Sequence, residues 1–296
     1  MICRLRRCKL VRVALTWVLA LLAVTGLAHA APIPVVAAES TYGAIAQAIG
    51  GTHVRVDSIL RSPDVDPHTF EATPATARAV AGARIVLLNG LGYDEWMGKL
   101  LAAAPSSQRQ LVVAAEVGRS WVMADGNPHL FYDTRVAGAV ATRVAELLQR
   151  ADPAHAADFA RNLRAFHAAL SAVDARVAQL RRAHPKLPVA ATEPVYGYML
   201  RALGWPSAGQ RFQFDVMNET EPAPALVARF EDDLRQRRVA LLVYNRQVSA
   251  PVTQRMKGIA SAASVPSVGV DEIAPPGIGY APWLLRSLDA VAAALR

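Results

Sequence analysis

The sequence predicts an α/β fold of two lobes, each with a mainly parallel four-stranded sheet, joined by one long spine helix. Three observations lead there. After Ile33, short runs rich in Val, Ile, Leu and Ala alternate with longer amphipathic stretches, the rhythm of β/α units around a parallel sheet. Between residues 152 and 185 that rhythm gives way to one continuous helical pattern, and afterwards it resumes. With 53% hydrophobic residues and a length near two small domains, the chain can bury a sizeable core, which excludes a disordered protein.

Residues 1–30 have the form of a signal peptide. Arg4, Arg6, Arg7, Lys9 and Arg12 precede an apolar run from Val13 to Leu27, followed by the cleavage pattern Ala28-His29-Ala30. The run is short for a membrane span and ends in small residues. Cleavage after Ala30 would leave 266 residues. Cys3 and Cys8 lie ahead of the apolar run, and no cysteine stands at the cleavage site to take a lipid. The expectation is therefore a periplasmic protein exported by a cleaved signal and not lipid-anchored. Without cysteine, the remaining chain has His, Asp and Glu as its strong metal ligands. Five of the 32 cations leave with the signal, so 27 face 24 acids, a net charge of +3 that gives little support to a nucleic-acid partner.

In the first half, strands are expected at Ile33 to Ala37, Val54 to Ile59, Ile85 to Leu88 and Leu111 to Ala114. Helices are expected at Tyr42 to Ile49, Thr73 to Ala81, Asp94 to Ala103 and Thr134 to Arg150. Asp152-Pro153 then supplies an acid cap and a first-turn proline for the spine, which Pro185 should stop. Its stripe of Phe159, Leu163, Phe166, Leu170, Val173, Val177 and Leu180 alternates steps of four and three, and Arg161, Arg164, Arg176 and Arg181 should stay wet. The second half repeats the rhythm, with strands near Val189, near Phe212, at Val239 to Tyr244 and at Ser267 to Val270, and helices after Pro194, Pro224, Pro251 and Pro282. The expected domains are 1–30 as signal, 31–151 as the N-terminal metal-binding lobe, 152–185 as the linking helix and 186–296 as the C-terminal metal-binding lobe.

Four potential metal ligands, His68, His129, Glu193 and Asp271, lie just beyond strands or in the loops that follow them. A loop histidine taken singly is most often an ordinary surface or packing residue. The local pattern, however, occurs twice: Asp66-Pro67-His68 and Asn127-Pro128-His129 both place a polar residue and a proline before histidine. Glu193 ends the run Val189-Ala190-Ala191-Thr192 and opens a helix, where an acid is also favoured by the helix dipole alone. Asp271 follows the last strand, where an acid can simply cap a turn. The set is stronger than its members, because ligand sites in open α/β sheets lie outside the carboxyl ends of strands. Asp66, Glu71 and Asp133 are candidates to fix the imidazole tautomers. Arg246 either reaches the crevice to pair with Glu193 or Asp271, or is a solvated loop cation. Asn89-Gly90-Leu91-Gly92 lacks the full phosphate-binding fingerprint and reads as a tight turn.

Together these segments resemble the zinc- and manganese-binding (cluster A-I) family of ABC-transporter substrate-binding proteins, over essentially the whole mature sequence. The motifs are Asp66-Pro67-His68 with Phe70-Glu71 and Thr73-Pro74, the Asn89-Gly90-Leu91-Gly92 turn with Trp96, Asn127-Pro128-His129, Thr192-Glu193-Pro194-Val195-Tyr196-Gly197-Tyr198, and Val270-Asp271-Glu272 ahead of Gly279-Tyr280 and Trp283. Asn127 stands where the family usually has aspartate, and Glu193 where zinc importers carry histidine and manganese-type members often carry glutamate. The His-rich loop of many zinc-specific members is missing, since residues 116–127 hold only Glu116 and Asp125 as potential ligands.

The resemblance implies a protein that captures Zn²⁺ or Mn²⁺ as transported ligand through His68, His129, Glu193 and Asp271. It would deliver the ion to an ABC permease and its ATPase, with no chemistry of its own and as a monomer by default. Two alternatives stay open: a secreted zinc-dependent hydrolase, weakened because no His-Glu-x-x-His helix is present and a fourth ligand would close the site, and a periplasmic metal chaperone or adhesin-like protein.

Overall fold

The computed structural model describes residues 31–62, 65, 70–248 and 250–296. The proposed signal, the expected ligand His68 and its neighbours Asp66 and Pro67 lie outside them.

Two separate parallel sheets form, and they share one topology. The first contains β1 (Ile33–Glu39), β2 (Val54–Leu60), β3 (Ile85–Leu88) and β4 (Gln110–Val113), in the order β2-β1-β3-β4. The second contains β5 (Val189–Ala191), β6 (Ser207–Ala208), β7 (Leu241–Asn245) and β8 (Ser267–Val270), in the order β6-β5-β7-β8. In each, the chain moves from its first strand to one side and then crosses to the other. That leaves a switch point between β1 and β3 and another between β5 and β7, where a crevice opens outside the carboxyl ends of the strands. The central strands are buried on both faces, as helix-covered parallel sheets require: Val35, Val36, Ala37 and Ala38 of β1 and Leu241, Leu242 and Val243 of β7 are each at most 3% exposed.

The helices are α1 (Ser40–Gly50), α2 (Pro74–Ala81), α3 (Glu95–Ala103), α4 (Ala114–Val117), α5 (Thr134–Ala151), α6 (Ala156–Ala183), α7 (Gly197–Leu203), α8 (Gln210–Met217), α9 (Pro224–Arg235), α10 (Pro251–Ala262) and α11 (Tyr280–Ala294). Local chemistry explains several starts. Thr73 and Thr76 form a capping box with Pro74 at the first helical position, and the Asp133 carboxylate accepts from the Arg135 N–H at 2.9 Å. Pro282 sits inside the first turn of α11 rather than before it, where its missing N–H has no partner within the helix to lose.

One expected strand is corrected. Phe212 belongs to α8, and the edge strand is the two-residue β6 upstream of it. Gly209 turns the chain with a positive φ of 71° directly after Ala208, and the four-residue step from Phe212 to Val216 buries one helical face, with Phe212 stacked on Phe230 at 4.4 Å.

The spine, α6, has 28 residues, a length of about 42 Å at the usual rise. Asp152-Pro153 opens a 3₁₀ turn, Pro153–His155, rather than the α-helix itself. Six residues of the expected stripe are buried, and Leu163 packs partly buried beside them. Arg161, Arg164 and Arg181 are exposed, but Arg176 is not left to solvent: its guanidinium bonds Asp289 of α11 at 2.9 Å. One hydrophobic cluster runs from Val35 and Ile85 of the first sheet through Phe166 and Val173 of the spine to Val189 and Val243 of the second.

Hydrogen bonds tie the halves across the crevice. Ser40 Oγ donates to the Ala274 carbonyl (2.6 Å), Thr41 Oγ1 to that of Glu272 (3.1 Å) and Tyr280 OH to that of Phe131 (2.6 Å). Tyr132 OH reaches the Asp271 carbonyl at 2.6 Å, and Tyr198 OH the Asn127 carbonyl at 2.9 Å.

Candidate metal centre

His129 is fully buried in the second Pro-His turn, and contacts from two asparagines set its position. Its backbone N–H and its ring Nδ1 both lie on Asn127 Oδ1, at 3.0 and 2.8 Å. An amide oxygen only accepts, so Nδ1 carries a proton and Nε2 is the nitrogen turned toward Glu272. Asn127 Nδ2 donates to the Pro194 carbonyl at 2.7 Å, linking this turn to the residue after Glu193. From the other side, Asn89 Nδ2 donates to the Pro128 carbonyl at 2.8 Å. Asn89 is held in turn by the tight turn that follows β3, where Asp94 accepts from the N–H groups of Asn89 and Gly90 and the backbone passes through positive φ at Gly90, Leu91 and Gly92.

Facing His129 is Glu272. Its Oε2 lies 3.5 Å from His129 Nε2, and both side chains are completely shielded from solvent. Tyr93 OH donates to the same oxygen at 2.8 Å. Asn245, the last residue of β7, uses its side-chain amide twice: Nδ2 donates to Glu193 Oε2 at 2.9 Å and also to Glu272 Oε1. Glu193 is 1% exposed at the end of β5. The switch point of the second sheet thus supplies Glu193 and Asn245, and the segment after β8 supplies Glu272. Gln247 fixes that segment, its Oε1 accepting from the backbone N–H groups of Glu272 at 2.5 Å and Ile273 at 3.3 Å.

Asp271 sits differently. Arg246 grips it with two bonds, Nε to Oδ1 at 2.6 Å and Nη2 to Oδ2 at 2.5 Å. Arg246 is therefore an ion-pair partner of Asp271 and not a free loop cation. The acid that follows Asp271 is the one turned toward His129.

The crevice also gathers carboxylates that metal-ligand spacing does not reveal. Glu39 ends β1 fully buried, and among the described residues neither of its carboxylate oxygens has a hydrogen-bond partner. Burial, the Asp94 charge and, more weakly, the Glu272 charge push its carboxyl well above the usual range. Asp94 is raised too, chiefly by burial, against the opposing pull of the Gly90 and Asn89 N–H groups. Tyr93 is driven well above an ordinary phenol by burial and then by Glu272, so it remains a hydroxyl able to donate. Glu193 also lines an open cavity of about 740 Å³, whose walls include Glu219, Glu221, Gln247 and Arg255.

His129 and Glu193 of the expected set therefore join one buried network, Asp271 belongs to an adjacent ion pair, and His68 lies outside the described residues. Asp133 does not orient an imidazole; it caps α5 and pairs with Arg135 and Arg201 at 2.6 and 2.9 Å. Glu71 is exposed. Sequence reasoning overlooked Glu272, Asn245, Tyr93 and Glu39. Three of these four carry the strand-end signal that singled out Glu193: a polar residue closes an apolar run at Glu39 and Asn245, and Glu272 lies two residues past one.

Known proteins resemble this chain over most of its length. The family described as "ZnuA: Zinc-uptake complex component A periplasmic" matches residues 35–294. The metal ABC transporter substrate-binding lipoprotein FimA of Streptococcus parasanguinis is 25% identical over 283 residues, 89% of each chain. The manganese ABC transporter substrate-binding lipoprotein PsaA of Streptococcus pneumoniae is 25% identical over 262 residues, 83% of this chain and 82% of that one. In three dimensions, the periplasmic zinc-binding protein TroA from Treponema pallidum superposes with a TM-score of 0.75 at 18% identity, covering 90% of this chain and 99% of the other, which shows a shared two-lobed fold.

These relatives correct one expectation. Both sequence relatives are named lipoproteins, against a protein that is not lipid-anchored. The missing cysteine at Ala30 tested only one attachment position, whereas a membrane tie can also come from another acylated residue or from the apolar run itself. The relatives named here are substrate-binding proteins, which removes the hydrolase alternative. With a match that runs from the first strand to the last helix, the chain belongs to the family of periplasmic zinc-uptake complex component A proteins.

Proposed function

We propose that this chain captures a divalent transition metal, Zn²⁺ or Mn²⁺, in the crevice between its sheets and hands it to an ABC permease and its ATPase. The observation that carries the reading is the buried pair of His129 Nε2 and Glu272 Oε2, 3.5 Å apart at the junction of the two halves. In this reading His129, Glu193 and Glu272 are ligands, and His68 comes from the first Pro-His loop. Asp271 serves as the partner of Arg246 and not as a ligand. Asn127 holds His129 in the tautomer that binds metal, and Asn245 orients both carboxylates, the work of residues behind a metal site. Residues 31–151 and 186–296 act as the two metal-binding lobes around the 152–185 linker, and residues 1–30 direct export. Both sides of the crevice come from one chain, in keeping with a monomer.

Buried carboxylates support a cation as cargo. Glu193 and Glu272 are both buried and share the Asn245 amide, and Glu219 and Glu221 in the cavity that Glu193 lines raise the local concentration of cations. Two imidazoles and two carboxylates form a harder set than three histidines, suited to manganese, while the Irving–Williams order favours zinc. A competitive titration of demetallated protein with zinc and manganese under a calibrated chelator tests the proposal. Tight binding of either ion is the expected result, the ratio names the cargo, and binding of neither overturns the reading.

A further inference from the structure

A second group of metal donors lies at the other end of the first sheet. His53 closes the 3₁₀ turn Gly51–His53 at the amino end of β2, whereas the crevice opens at the carboxyl ends of the strands. Beside it stand Asp152 and His155, from the short connection between α5 and the spine. One donor atom from each of His53, Asp152 and His155 lies within 4.8 Å of the other two. The two imidazoles stack with centroids 3.9 Å apart and planes at 25°. Each ring is held by a carboxylate: His53 Nε2 lies 3.0 Å from Asp158 Oδ2, and His155 Nδ1 lies 2.6 Å from Asp152 Oδ2.

We propose that His53, Asp152 and His155 form a second, weaker transition-metal site that clamps the α1–β2 turn to the start of the spine helix. Metal binds the deprotonated nitrogen of an imidazole, so the ion competes with protons for both rings. Asp158 accepts from one nitrogen of His53 and leaves the other as donor, the carboxylate–histidine–metal arrangement. At His155, the ion takes the place of the proton shared with Asp152. Zinc-to-nitrogen bonds near 2.0–2.1 Å set tetrahedral donors about 3.3 Å apart, so the cluster must contract by on the order of 1 Å. Histidine χ2 is a soft torsion, so the rings can tilt to converge on one ion.

The donors form a borderline imidazole and carboxylate set, which selects zinc, nickel or copper over calcium. Their side chains are between 16% and 39% exposed, so solvent can fill the remaining coordination positions. Three protein donors in a half-exposed setting bind more weakly than a buried crevice.

Calorimetric titration of the demetallated protein with zinc chloride tests the site. The double variant His53→Gln, His155→Gln should bind one zinc fewer than its parent, with the tighter event unchanged. This difference is read whether or not the crevice itself takes zinc. Equal stoichiometry in parent and variant overturns the proposal. Melting of both metal-free proteins checks that the variant is folded. In the unsubstituted protein, the ring-proton resonances of His53 and His155 should move during the weaker binding event, and resonances that stay in place overturn the site independently.

Discussion

Glu272 Oε2 faces His129 Nε2 at 3.5 Å with both side chains fully buried, while its neighbour Asp271 is gripped by Arg246 at 2.6 and 2.5 Å. Adjacent acids thus sit in different surroundings, one facing an imidazole and one held by a guanidinium. Glu272→Gln keeps the shape and removes a charged ligand, so metal affinity should fall on the order of 100-fold or more, beyond the ~10–100-fold typical of residues that only orient ligands. Asp271→Asn should cost less than about 10-fold, through loosening of the Arg246 pair. Chelator competition on both variants decides, and a larger loss from Asp271→Asn would refute the assignment of Glu272.

Asn127 is the second test. Its Oδ1 accepts from His129 Nδ1 at 2.8 Å, so Asn127→Ala frees the imidazole to take the wrong tautomer. Affinity should drop by about 10–100-fold, whereas Asn127→Asp, which keeps an acceptor in place, should stay closer to the parent. Isotherms of Asn127→Ala and the parent that superimpose would remove Asn127 from the site.

How far these assignments were legible follows from the kind of signal involved. The alternation of apolar runs and amphipathic stretches located seven of the eight strands and the spine, because burial imposes those periods directly on the chain. Phe212 was misplaced because a strand and one helical turn are alike over a few apolar residues, and Gly209 with its positive φ decides between them. Within Asp271-Glu272 the sequence marked an acidic segment but not which acid faces inward, since that depends on the direction of chain after β8. Asn245 and Tyr93 were unread for a different reason: their roles arise from contacts between residues 27 and 179 positions apart.

Gly197 illustrates how little room the site leaves. A Cβ at this position would stand 2.5 Å from Asn127 Nδ2, the atom that donates to the Pro194 carbonyl. Gly197→Ala should therefore push Asn127 away from His129. Overpacking of this kind costs about 1–3 kcal/mol, and metal affinity should fall with stability. A variant with unchanged melting and unchanged affinity would show that the turn yields freely.

Glu39 makes stability depend on pH in a direction opposite to that of most carboxylates. Burial holds its folded-state carboxyl well above the ordinary value, so above that ordinary value the folded chain binds more protons than the unfolded one. Stability from this group is therefore complete below the unfolded-state value, near 4.5, and is lost as pH rises through the folded-state value. Glu39→Gln removes the titration. Any cost of burying the amide is the same at every pH. The readout is the change in melting-temperature difference between variant and parent, both metal-free, from about pH 4 to about pH 7.5. The variant should gain on the parent by on the order of a few degrees over that range. A difference that stays constant with pH would mean that Glu39 titrates normally in the folded protein.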